Sequence, residues 1–241
     1  MTHKEMAEKI KTALGLDEEP IAAYYSDEKP EGAYEWNCTG GHFCTVTPQV
    51  AVRKGKPLAI NGKTPGCGGT AFFLGWSKEM RPGFEEFLSH DAEGKGERYK
   101  KTPEIARAFI ENREFVPANG QYCIFQRLID VPEEITPEVV DFYADADGIS
   151  GLVWLANYGR KEQAVIAPFT AGCGSLVSEP RAQMLKDEPK AVLGMFDPSA
   201  RISVEKHLLS FAVPWKMFVE MLENLPGSFV EIEPWTKIRN R

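Results

Sequence analysis

Cysteine is scarce in this 241-residue chain: five residues, an odd number. A secreted scaffold stapled by disulfides is usually shorter and richer in cysteine, so that class is set aside. A block of Lys and Arg is also missing, and the formal net charge is −7. Phosphate backbones are held by clustered cations, so a nucleic-acid partner is not expected. No segment reaches the ~18–20 uninterrupted apolar residues of a membrane span, so no membrane partner is expected. The opening MTHKEMAEKIKTALGL is charged and helix-like, without the apolar centre of a secretion signal. The expected location is therefore cytoplasmic. There is no low-complexity tract and no long Gly/Ser linker, and the composition, 43% hydrophobic and 26% charged, is that of a globular protein. A single domain over residues 1–241 is the simplest organisation.

What is present is an interleaving of helical and strand patterns. Met6, Ile10 and Leu14 recur at four-residue steps, which predicts a helix over 3–14. PIAAYYS, PLAI, QYCIFQRLI, AVIAPF and LLSFAVP read as strands. Three Thr-Pro pairs read as helix starts: Thr47-Pro48 before QVAVRKG, Thr102-Pro103 before EIARAFIENR, and Thr136-Pro137 before EVVDFYA. WKMFVEMLENL reads as a closing amphipathic helix. The expected fold is mixed α/β (α+β), a mixed sheet flanked by helices.

Thr-x-Gly-Cys-Gly occurs twice, in KTPGCGGTAFFLGW around Cys67 and in FTAGCGSLVSEP around Cys173. A shift of 106 positions lays Thr64, Gly66, Cys67 and Gly68 over Thr170, Gly172, Cys173 and Gly174, with Ile60 over Ile166. An internal duplication, with related segments around 51–76 and 157–182, would place two related halves about a pseudo-twofold axis. Chance remains the competing explanation for so short a match. In either case the spacing predicts that Cys67 and Cys173 face one site.

Glycine beside cysteine allows close backbone approach and positive φ, and leaves N–H groups free to face a sulfur or an anion. A thiolate so stabilised binds metal or attacks electrophiles. NCTGGHFCTV adds Cys38 and Cys44, with Gly40, Gly41 and His42 between them. Their C-x5-C spacing is looser than the C-x2-C of zinc ribbons. Cys123, inside the apolar run QYCIFQRL, reads as a core residue. The candidate ligands are therefore Cys38, Cys44, Cys67 and Cys173, the number a tetrathiolate centre requires. The candidate cofactor is an iron–sulfur cluster, with zinc or no metal as alternatives. Gly66, Gly68, Gly69, Gly172 and Gly174 are the candidate cofactor-binding turns. Asp197 and Arg201 either shape a turn by a salt bridge or offer Arg201 to an anionic ligand.

CGGTAFFLGW, AGCGS and GMFDPSARISVEKHLLSFAVPWKMFVEML together resemble the domain of unknown function 169 family, uncharacterised proteins of anaerobic bacteria and archaea. The resemblance covers nearly the whole chain. Its most specific parts are Cys67, Gly68 and Gly69, and the pair Asp197 and Arg201 ahead of the FAVP segment. It implies one intracellular domain in which the Cys67 and Cys173 segments are family features, and it implies no activity.

Two functions of different class follow. In the first, the protein is a cysteine-ligated metal protein with a redox or sensing role and an unnamed redox partner. In the second, it is a metal-free binder of a small anionic molecule, or a thiol-dependent enzyme, built on the Cys67 and Cys173 turns. A homo-oligomer is open in both.

Overall fold

The computed structural model describes residues 1–36, 44–64, 67–90 and 96–240. Its centre is an eight-stranded mixed sheet. The strands are β1 (Ile21–Ser26), β2 (Tyr34–Trp36), β3 (Leu58–Asn61), β4 (Tyr122–Arg127), β5 (Val139–Ala144), β6 (Val165–Ile166), β7 (Ala191–Gly194) and β8 (Leu209–Pro214). Their order is β2-β3-β4-β1-β5-β8-β7-β6. The inner pairs are antiparallel, and the pair at each end, β2 with β3 and β6 with β7, is parallel.

This order reads the same way outward from the β1–β5 pair: β1, β4, β3, β2 on one side, and β5, β8, β7, β6 on the other. By strand position, the segment between β2 and β3 matches that between β6 and β7. Cys44 and Cys173 lie in those two segments, whereas Cys67 follows β3. The Cys67–Cys173 alignment suggested by the motif is thus not the correspondence that the strands display.

The ten α-helices among the described residues are α1 (His3–Leu14), α2 (Gln49–Arg53), α3 (Thr70–Phe73), α4 (Phe84–Ser89), α5 (Pro103–Glu111), α6 (Ala146–Tyr158), α7 (Glu179–Met184), α8 (Pro198–Arg201), α9 (Trp215–Glu223) and α10 (Glu233–Arg239). One sheet face packs on α1, α6, α9 and α10, through Ile10, Leu155, Phe218 and Trp235 among others. The other face carries α2 and α3, a π-helical turn at Gly174–Ser178 that runs into α7, and α8. Cys123, Cys173 and Val46 belong to this second core. A satellite cluster of Phe84, Leu88 and Ala106 joins α4 to α5 at its rim.

Local chemistry explains most of these boundaries. Thr2 caps α1 with a full capping box to Glu5, and Gly15 ends it in the left-handed region. The Thr102 hydroxyl accepts from the Ile105 N–H and Pro103 opens α5, as read from the sequence. At α2 the start falls one residue later than expected. Pro48 is the cap residue, and the Thr47 hydroxyl instead meets Ser203 Oγ at 3.0 Å.

Within EVVDFYA, VVDFYA is strand, not helix. The Thr136-Pro137 signal is overridden because Glu138 already pairs with both neighbours: its N–H donates to Ala23 O and its carbonyl accepts from Trp215 N. All six residues of β5 are buried, as a central strand covered on both faces requires. WKMFVEML is helix but does not close the chain, since α10 follows it and buries Trp235.

Candidate functional site

Three segments on the second sheet face converge on one cavity of about 330 Å³. Cys44 lies ahead of α2, Cys67 ahead of α3, and Cys173 at the start of the π-helical turn, and all three line the cavity. Cys123 does not line it; it is fully buried within β4. Cys38 and Gly66 lie outside the described residues, as do Gly40, Gly41 and His42.

Each thiol has a polar neighbour. The Val46 N–H donates to Cys44 Sγ at 3.5 Å. Cys67 Sγ and the fully buried Thr70 Oγ1 are 2.8 Å apart. The Thr45 hydroxyl lies beside Cys173 and eases its ionisation, yet that buried oxygen has no partner in hydrogen-bond geometry. Burial pushes the Cys44 thiol up to about 12, and the neighbouring Cys67, Asp197 and Glu97 add to this. Burial also drives the Cys173 thiol well above its ordinary value, with Cys67 and Cys44 next in importance. The three sulfurs are therefore close enough to oppose one another's ionisation.

The glycines do not act through unusual backbone angles. Gly68, Gly69, Gly172 and Gly174 all lie outside the positive-φ region. Two of them are needed for space. A Cβ on Gly172 would run into Ala200 and Val46, and one on Gly174 would run into the Thr170 hydroxyl and the Phe73 ring. The Gly172 N–H is already taken, donating to Asp197 Oδ2 at 3.0 Å. Gly69 lines the cavity at the head of α3, and Gly68 sits beside Arg81.

Asp197 and Arg201 do not form the salt bridge considered from the sequence. Asp197 Oδ1 caps α8 by accepting from the Ser199 N–H at 2.9 Å. Arg201 turns to backbone carbonyls, donating to Glu205 O at 3.1 Å and Lys206 O at 2.6 Å. Arg201 closes a turn and does not line the cavity.

The rest of the wall comes from residues that no motif announces. Phe84, Phe87 and Leu88 of α4, Phe109 of α5, and Phe169 and Phe196 face the cavity. Ser199 Oγ donates to Glu97 Oε1 at 2.6 Å and lies 2.7 Å from the Tyr99 hydroxyl, fastening the 97–99 segment to α8. Behind the wall, Arg113 lies 4.3 Å from the Phe73 ring centre. It donates to Thr170 Oγ1 at 2.9 Å and Ser178 Oγ at 2.6 Å, and pairs with Glu179 at 3.0 Å. These contacts link residues tens of positions apart, so periodicity and spacing carry no trace of them.

A family model for domain of unknown function 169, described as an uncharacterised ArCR family, matches residues 9–224. The chain belongs to that family. The matched range holds β1–β8 and all three cavity cysteines. Neither the curated proteins nor the solved structures gave a match. No helix among the described residues of this family member is long and apolar enough to cross a membrane.

Proposed function

We propose that the cavity between Cys44, Cys67 and Cys173 is a thiolate-ligated metal centre, with an iron–sulfur cluster as its cofactor and a redox or sensing role in a reducing cytoplasm. The observation that carries this reading is the convergence of three cysteines from three separate segments on one cavity. Cys38 is the fourth ligand on the sequence alone.

The electrostatics support a metal more than a free nucleophile. With Cys44 half-buried and Cys173 buried, both thiols are held above their ordinary range and favour the protonated form unless a cation accompanies them. A bound metal supplies that cation, and the Val46 N–H and the unpartnered Thr45 hydroxyl would then face charged sulfur. Among the described residues, no group of three or more His, Cys, Asp and Glu side chains is arranged to hold a single ion. The apolar wall would limit solvent access, which tunes cluster potential. When bound, the cluster would supply one-electron chemistry.

The test is purification without oxygen, followed by iron, sulfide and zinc analysis and an absorption spectrum. The reading expects a brown protein with stoichiometric iron and sulfide and a broad visible absorption band. Protein that is metal-free after expression with iron and zinc available, and whose spectrum is unchanged by chelators, would overturn it.

A further inference from the structure

We infer that this cavity holds a small, uncharged, mainly apolar molecule of about one-ring size against its aromatic wall. The inference rests on the cavity of the preceding proposal and not on its metal.

Size sets the first limit. The cavity, about 330 Å³, is at the lower end of the range of small-molecule sites. It is about twice the ~150 Å³ cavity that accepts benzene in an engineered core. A single ring with a short substituent fits.

The wall sets the polarity. Phe73, Phe84, Phe87, Leu88, Phe109, Phe169 and Phe196 face the cavity. Phe169 and Phe196 are 47% and 50% exposed while turned towards this space. Large apolar side chains left half in water at a cavity mouth mark a place where something apolar is covered. Phe109 and Phe169 meet edge to face with ring centres 4.9 Å apart, so this part of the wall has a defined shape.

Charge excludes ions of both signs. The described lining contains Glu97 and Asp197 and no Lys, Arg or His, so an anion meets like charge there. An organic cation is disfavoured too, because the protein's own cations already engage these rings. Lys100 Nζ is 3.7 Å from the Phe169 ring centre, and the Arg113 guanidinium is 4.3 Å from that of Phe73. The carboxylates are occupied as well: Asp197 accepts from the Gly172 and Ser199 N–H groups, and Glu97 from the Ser199 hydroxyl. The Tyr99 hydroxyl, whose proton is spent on Ser199, keeps acceptor capacity as a polar handle, which suits a ligand with a single hydroxyl.

The experiment titrates the purified protein with three probes of matched shape, benzyl alcohol, benzylamine and benzoate, followed by ligand-observed NMR at pH 7.5. Benzyl alcohol is expected to bind saturably with Kd of about 0.1–1 mM, the range open to a ligand of eight heavy atoms. Each charged probe should bind at least about tenfold more weakly, because a charge must be desolvated without a partner. Ala171→Phe, which fills the cavity, should abolish binding, and Phe169→Ala, at a half-exposed position, should weaken it at least about fivefold while the protein stays folded. No saturable binding of benzyl alcohol, tighter binding of either charged probe, or binding unchanged in a folded Phe169→Ala protein overturns the inference. Metal analysis of the same preparation separates the two proposals. Metal-free protein that binds benzyl alcohol removes the metal centre and keeps the chamber, and metal-loaded protein that ignores the probe does the reverse.

Discussion

Asp197 reaches back twenty-five residues to hold Gly172: its Oδ2 accepts the Gly172 N–H at 3.0 Å while its Oδ1 caps α8 through Ser199. One carboxylate therefore fixes both the residue before Cys173 and the start of the helix that seats Ser199. Asp197→Ala should lower stability by about 2–5 kcal/mol, the sum of a lost cap and a lost charge-assisted bond. Asp197→Asn, which keeps one acceptor, should lose less. Urea unfolding of the two variants checks the order, and equal losses would show that the one retained acceptor oxygen contributes nothing.

The cysteines divide into a cavity set and a bystander. Cys44→Ser, Cys67→Ser and Cys173→Ser should each lower the iron content and the visible absorbance, while Cys123→Ala keeps both. Cys123 is fully buried in β4 and its thiol is pushed up by burial. Cys123→Ser should be the less stable of its two variants, because it buries a hydroxyl in an apolar site. Loss of iron in a folded Cys123→Ala protein would move the centre elsewhere.

Asp141 is almost fully buried in β5, and neither carboxylate oxygen has a partner. Burial drives its carboxyl well above the ordinary range, so the folded state keeps a proton that the unfolded chain releases. A raised folded-state pKa gives stability that is fully present below the unfolded value and is lost as pH rises towards the folded value. Stability should accordingly fall by up to about 1.4 kcal/mol per pH unit above roughly pH 4 from this residue alone. Asp141→Asn should flatten that slope and gain stability relative to the wild-type protein as pH rises. Parallel slopes for the two proteins from pH 5 to 8 would show that Asp141 ionises freely.

Arg181 joins α7 to the sheet and to the loop behind it. Its Nε donates to Glu138 Oε2 at 2.5 Å, and its Nη atoms donate to Val116 O at 3.1 Å and Pro117 O at 2.9 Å. Its guanidinium also lies 4.4 Å from the Tyr25 ring centre. Removing one member of a buried pair strands the other charge, so Arg181→Ala should cost about 3–5 kcal/mol. Arg181→Ala with Glu138→Ala should cost less than the sum of the two single changes, as measured by a double-mutant cycle.

Local signals in the sequence carried much of the fold. The α1 helix with its Ile10 and Leu14 stripe, the Thr102-Pro103 cap and the apolar runs of β1, β4 and β8 depend on neighbours a few residues away and formed as read, although Ala7 and not Met6 is the fully buried residue of the first turns of α1. EVVDFYA was misread because its fate depends on Ala23 and Trp215, remote in sequence, and not on its own Thr-Pro start. Cys67 and Cys173 could be singled out because glycine flanks each of them, and Cys44 because it follows Gly40 and Gly41 within a few positions, all local patterns. The aromatic wall could not, since Phe84, Phe109, Phe169 and Phe196 carry ordinary apolar periodicity and meet only through tertiary packing.

The mirrored strand order has a consequence for how the chain can be divided. Every strand from β1 to β4 lies on one side of the β1–β5 pairing, and every strand from β5 to β8 on the other. That seam is narrow, with three residue pairs from Ile21–Asp141 to Ala23–Val139. A cut in the connection between Asp130 and Val139 would yield two fragments that each retain a complete four-strand set. Helix α1 of the first fragment packs against α6 and α9 of the second, so the apolar layer that it buries would draw the pieces back together. The protein is thus laid out as a natural candidate for split-fragment complementation, with Cys44 and Cys67 contributed by one piece and Cys173 by the other.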